Sequence, residues 1–284
     1  MEWKLGIRTK LSQLKGFISF VIVHFFKDDC PYRASALAFT TLLAIVPLMT
    51  VSFAFLSSFP MMQHLGLSVQ NFIFENFVPA TGKILQNYLG QFTMQVSKLS
   101  AWGIVFLVAT ALLLMVTIEH AMNKIWRTSR ARSGVTAFLV YWAILSLAPV
   151  FLGLSIATSS YLISLTFQSN PAPAFFAYCI SFLLSLSAFT LFYIIVPNCS
   201  VKISHGLIGG LVTTILFETA KKLFTLYLTQ FHYYDLIYGA FSVIPVFFIW
   251  VFCIWFIVLL GAEVSYALSV YYQRRERRRK RLRS

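Results

Sequence analysis

The chain has 284 residues, 58% apolar and only 11% charged, with a mean hydropathy of +0.77. Soluble domains carry roughly 25% charged residues, so this composition excludes a water-soluble globule. The 23 Lys and Arg outnumber the 9 Asp and Glu, a net +14 that in a soluble protein would suggest nucleic acid. Here most of that charge lies between or beyond apolar runs, where it sets topology and meets anionic lipid headgroups.

In chain order, residues 3–27 hold an apolar patch from Phe17 to Phe26, preceded by Lys4, Arg8, Lys10 and Lys15. No small-residue cleavage pattern follows, so the segment does not read as a cleaved signal peptide. The patch is too short to span and predicts an interfacial helix on the cytoplasmic surface, with a helix buried against the bundle as the alternative. The first predicted span, 34–59, is uncharged and has Pro47 in its middle, while Ala34, Ala38, Thr41 and Ala44 suit close helix packing. Across 60–100, Leu85, Leu89, Phe92, Val96 and Leu99 recur at helical spacing and predict an amphipathic helix at the outer surface.

A second span covers 101–118 and ends in a polar junction from Glu119 through Arg132. The third, 136–160, contains Pro149; the fourth covers 174–196; a turn at 197–205 carries Lys202. The fifth, 206–228, and the sixth, 240–268, complete the series. The expected fold is all-α: one membrane domain over 1–270, a polytopic bundle of six transmembrane helices with interfacial and outer amphipathic helices. A basic cytoplasmic tail over 271–284 follows. Nineteen of the 23 Lys and Arg fall in the first 33 residues, the 119–135 loop, the 197–205 turn and the tail. The opposite loops hold Lys83 and Lys98, which places the basic side, and both termini, in the cytoplasm.

Several stretches together resemble the bacterial YihY/BrkB family of inner-membrane proteins, once labelled ribonuclease BN. They are Ala36-Leu37-Ala38-Phe39-Thr40-Thr41-Leu42-Leu43-Ala44 with Pro47, Asn123-Lys124-Ile125-Trp126, and Tyr193 with Val196-Pro197-Asn198. Gly209-Gly210, Phe217-Glu218, Lys221 with Phe224 and Tyr227, Tyr238-Gly239, Pro245 with Trp250, and Leu260-Gly261-Ala262-Glu263 continue the match. The resemblance covers roughly 30–270. It implies a six-helix protein of the bacterial inner membrane with cytoplasmic ends, but names no reaction. Two positions depart from the family pattern, Phe39-Thr40 and Asn123-Lys124, and the second keeps its charge.

The nuclease label finds no local support. His24, His64, His120, His205 and His232 are isolated, and the tight acidic groupings, Asp28-Asp29 and Glu119-His120, lie in different segments. The four cysteines have neither disulfide nor metal spacing, and no cofactor motif or phosphate-binding GxxxxGK[ST] loop is present. Arg274, Arg275, Arg277, Arg278, Arg279, Lys280 and Arg281 read as a basic anchor on anionic headgroups, with an acidic partner or RNA as the sharper alternative.

Gly206 and Gly210, four apart, leave one helix face bare for close packing or a hinge. Pro47, Pro149 and Pro245 either curve their helices or open carbonyls toward a cavity. Gly261 allows close approach beside Glu263, a packed anchor or a substrate contact. Tyr234, Asp235 and Tyr238 suit an outer aromatic belt, or a gate.

The sharpest candidate is the fifth helix. Glu218 lies about 18 Å along from Gly206, near mid-depth of a hydrocarbon core about 30 Å thick. It can reach Lys221 and Lys222 at i+3 and i+4, and Thr214 and Thr225 extend the polar stripe. Such a cluster either lines a membrane-embedded cavity or pairs internally. One carboxylate against two ammonium groups favours a cavity contact for an anionic substrate. The expected function is therefore a transporter or flippase-like protein for an amphiphilic or anionic substrate. A structural, envelope-organising protein is the alternative. Membrane lipids are the expected partners, and a homo-oligomer is compatible with the sequence.

Overall fold

Long uncharged runs leave the backbone without water to bond, so it closes its own hydrogen bonds as helix. The computed structural model describes residues 2–57, 101–128, 132, 134–137, 139–141, 143, 172–230 and 243–281. Within them stand α1 (Glu2–Lys27), α2 (Cys30–Ser57), α3 (Ala101–Ile125), α4 (Ala172–Ile195), α5 (Ile203–Gln230) and α6 (Val243–Arg281). Further helical residues at 134–137 and 139–141 bring in Ala137 and Tyr141. The helix expected within 60–100, Pro149, and the group Tyr234, Asp235 and Tyr238 lie outside the described residues.

The junctions show why the helices stop where they do. α1 closes at Asp29, whose φ of 56° is left-handed, a conformation Asp tolerates better than most residues. Arg33 Nε then donates to the Asp28 carbonyl at 3.0 Å, satisfying an acceptor at the end of α1. Pro31 sits in the first turn of α2, where its missing N–H costs nothing. α3 ends in the same way at Arg127, with φ 53°. Arg127 N–H donates to the Lys124 carbonyl at 3.1 Å and Thr128 N–H to that of Asn123 at 2.9 Å. This is the Schellman pattern, with arginine where glycine is usual. The Arg127 guanidinium is held over the Tyr266 ring at 5.3 Å and 3.5 Å from Asp28 Oδ2.

α6 is the hub, touching each of the other five helices. At 39 residues it is about 58 Å long, well beyond a hydrocarbon core of about 30 Å. Its last turns are the arginine-rich run, which is therefore helical through Arg281. Its Trp250 and Leu259 are fully buried, as are Tyr193, Leu37, Met122 and Ile125 on the surrounding helices. Trp255 Nε1 donates to Thr41 Oγ1 at 2.9 Å, tying α6 to α2.

α4, α5 and α6 approach closely because glycine lines their contacts. A Cβ at Gly209 would lie 2.7 Å from the Gly261 carbonyl and 2.8 Å from Ser265 Cβ. One at Gly210 would meet Thr190 Oγ1 at 2.6 Å, and one at Gly206 would meet Ile194 Cγ1 at 2.9 Å. The opposite face of α5 exposes Leu207, Leu211, Ile215, Leu223 and Leu226. Apolar side chains turned outward with small residues turned inward is the arrangement of a helix packed in lipid.

The expected count of six spans is corrected by the structure. Among the described residues two helices are long and apolar enough to cross a membrane, Ile203–Tyr227 and Pro245–Tyr271. The apolar stretch Cys179–Ile195 is shorter. A long apolar run has two origins, contact with lipid or packing on several sides, and hydropathy does not separate them. Much of the apolar content of α2 and α3 goes into packing: Leu37, Ala38, Ala44, Met122 and Ile125 have no exposed surface.

Candidate functional site

The polar end of α3 builds a cavity. Glu119, His120, Asn123 and Lys124 occupy its last turns, and the left-handed turn at Arg127 sends the chain back past them. Glu119 and Asn123 are buried, whereas His120 and Lys124 are exposed. Arg33 from α2, Thr128, Arg132 and Tyr141 complete the polar lining of a cavity of about 510 Å³.

Glu119 is the centre of its network. Tyr141 Oη donates to Oε2 at 2.8 Å and Asn123 Nδ2 to Oε1 at 3.2 Å. Arg132 Nη1 stands 3.8 Å from Oε2, and both side chains are largely buried. Arg132 Nη2 donates to the carbonyls of Ile195 at 2.7 Å and Pro197 at 3.1 Å, placing a cation on the end of α4, where the helix dipole favours it. Asn198 N–H donates to Asn123 Oδ1 at 2.8 Å. The cavity wall thus joins α3 to the α4–α5 turn.

A second polar node lies where α1, α2 and α6 meet. Glu263 is fully buried, and Cys30 Sγ donates to its Oε1 at 3.7 Å. Its Oε2 has no hydrogen-bond partner among the described residues. Burial, and then the nearby Glu263 and Asp28 carboxylates, push the Cys30 thiol well above its ordinary range. Gly261, two residues before Glu263 on α6, faces Thr213 Oγ1 and Tyr193 Oη.

The five candidates on α5 are not equivalent. Glu218 Oε1 and Lys221 Nζ pair at 2.8 Å, and Lys221 lies over the Phe217 ring at 5.0 Å. Thr214 is fully buried and donates to the Gly210 carbonyl at 2.8 Å, so its hydroxyl is taken up by its own helix. Lys222 and Thr225 are exposed, and Thr225 Oγ1 donates to the Lys221 carbonyl at 2.9 Å. The stripe is closed at Thr214 and open at Lys222. Pro47 lies within α2 and Pro245 is the third residue of α6, a first-turn position that does not break a helix. The helical run from Arg274 to Arg281 continues α6.

Sequence reasoning missed the network around Glu119. Glu119-His120 and Asn123-Lys124 are visible as local pairs, but Tyr141, Arg132 and Asn198 reach them only through the fold.

Fold and site together define a helical membrane protein with a charged cavity at one end of its bundle. The chain belongs to the Virulence factor BrkB family, whose model matches residues 21–284. It is similar to a UPF0761 membrane protein of Legionella pneumophila (strain Corby), 60% identical over 97% of this chain and 67% of the relative. A UPF0761 membrane protein of Azotobacter vinelandii is 45% identical over 89% of this chain and 63% of the relative. One from Photobacterium profundum is 43% identical over 91% and 82% respectively. The chain spans about two thirds of the length of the Legionella and Azotobacter relatives. No solved structure matches it.

Proposed function

We propose that this chain is a transporter or flippase-like protein that admits an anionic amphiphile to the cavity at the end of α3. The observation that carries the proposal is the cavity itself. Glu119 and Arg132 are largely buried in its wall, and buried ionisable groups gathered in a cleft are costly and cluster at functional sites. About 510 Å³ lies within the range of sites that enclose small ligands. The basic segments of the sequence would put the mouth of this cavity on the cytoplasmic side. The stripe of Thr214, Glu218, Lys221, Lys222 and Thr225 is a second polar surface along which a headgroup would pass, with its opening at Lys222.

A structural role is the second reading. The bonds from Arg132 and Asn123 to Ile195, Pro197 and Asn198 favour it, because they staple one hairpin to another. The two readings separate on water access. In a cysteine-free background, cysteines placed at Ala137 and Lys124 are treated with a membrane-impermeant thiol reagent. A transport cavity predicts labelling at both positions. A staple predicts labelling at 124 alone, and that result would end the transport reading.

A further inference from the structure

The cavity is richer in positive than in negative charge. Arg33, Lys124 and Arg132 face one carboxylate, Glu119, a formal surplus of two with His120 neutral. Glu119 is held back from Arg132 by its bonds to Tyr141 and Asn123. Arg132 has committed Nη2 to two carbonyls, while Nη1 is buried and without a hydrogen-bond partner among the described residues. Its nearest carboxylate oxygen is 3.8 Å away, beyond hydrogen-bond distance. Arg33 is bound through Nε to the Asp28 carbonyl. Lys124 stands exposed at the mouth.

We infer that this cavity is a phosphate-binding site, in which Arg132 Nη1, Arg33 and Lys124 take the oxygens of a phosphate group. The inference rests on the transport reading above and names its substrate class. Guanidinium donors match phosphate oxygens in direction, and the lysine adds a point charge. A phosphate monoester carries a charge near −2 at neutral pH, equal to the surplus, whereas a carboxylate would leave one cation unmatched. The cavity also exceeds what a bare phosphate ion fills, which leaves room for an esterified group. The Ile195 and Pro197 carbonyls position the Arg132 fork through Nη2, and Glu119 touches no ligand.

The ligand has two sources, a lipid headgroup or a soluble phosphate ester, and the test has an arm for each. The purified chain in neutral detergent is titrated at fixed ionic strength with inorganic phosphate. In parallel, dioleoyl phosphatidic acid is titrated into the micelles against phosphatidylcholine. The readout is the thermal unfolding midpoint. A saturable rise is expected in at least one arm, and the arm that responds identifies the source. K124M should leave the ligand-free midpoint unchanged and weaken apparent affinity about tenfold, as expected for loss of one charge-assisted contact. R132K, which keeps charge but loses the fork, should weaken it further.

No rise in either arm overturns the inference, as does a rise that K124M leaves intact or that chloride reproduces. The same preparation in proteoliposomes keeps the two readings apart. Translocation without phosphate binding would refute this inference alone. Binding without translocation would refute the transport reading and leave the site standing.

Discussion

Adding one methyl group at Gly261 tests the packing that holds α4, α5 and α6 together. The new Cβ would overlap Thr213 Oγ1 and stand 2.5 Å from Tyr193 Oη and 3.1 Å from the Gly209 carbonyl. Thr213 cannot simply swing away, since its hydroxyl is bonded to Tyr193 Oη at 2.6 Å and to the Gly209 carbonyl at 3.0 Å. Tyr193 is fixed in turn by the Val258 carbonyl at 2.8 Å. Overpacking costs about 1–3 kcal/mol. Loss of the bonds around Tyr193 adds about 0.6 kcal/mol each, the average for such bonds inside membranes. G261A should therefore destabilise the bundle by roughly 2–4 kcal/mol. The assay is equilibrium unfolding in mixed micelles for wild type, G261A, T213A and the double variant. Removing Thr213 Oγ1 relieves the worst overlap, so the double variant should be more stable than G261A alone, a coupling of opposite sign to additivity. A G261A protein within about 0.5 kcal/mol of wild type, the usual range for an inert surface change, would refute the crossing described for α5 and α6.

Other perturbations follow from the same geometry. R132A should cost about 3 kcal/mol or more in the same unfolding assay, because it leaves Glu119 as a buried charge without its cation and removes the cap on α4. Y141F should cost about 1.5–3 kcal/mol, the range for a hydrogen bond to a charged group. Cys30 should resist alkylation at pH 8: a raised thiol pKa leaves less thiolate at any given pH, and the side chain is wholly buried. Cys199 is also raised, first by burial, but it is only half-buried and should alkylate sooner, as mass spectrometry of a time course would show. E218Q and K221M should lower transport while leaving protein level nearly intact, since their pair is partly exposed.

The membrane class and the helical fold are legible in composition and in uncharged runs. The number of spans was not legible. Hydropathy counts apolar residues without asking what they touch, and Leu37, Met122 and Ile125 touch other helices. The small residues Gly206, Gly210 and Gly261 are visible as spacing, but spacing does not reveal that Gly209 meets Gly261 across a helix crossing. On α5 the i+3 pairing of Glu218 with Lys221 follows from helix geometry alone. The burial of Thr214 beside it depends on α4 and α6. Glu263 stands out as a carboxylate in an apolar run, yet its neighbour Cys30 is 233 residues distant. The network at Glu119 is the hardest case, because Tyr141, Arg132 and Asn198 come from three separate segments that only the fold brings together.

The claim that this cavity conducts an anionic amphiphile is tested most directly by translocation itself. The full chain is reconstituted into proteoliposomes carrying fluorescent phosphatidic acid, and leaflet exchange is followed by quenching from one side. Exchange is expected to be faster than in protein-free vesicles, and slowed several-fold by K124M at equal reconstitution and equal thermal stability. Exchange no faster than in protein-free vesicles, or a rate that K124M leaves untouched, would contradict the claim.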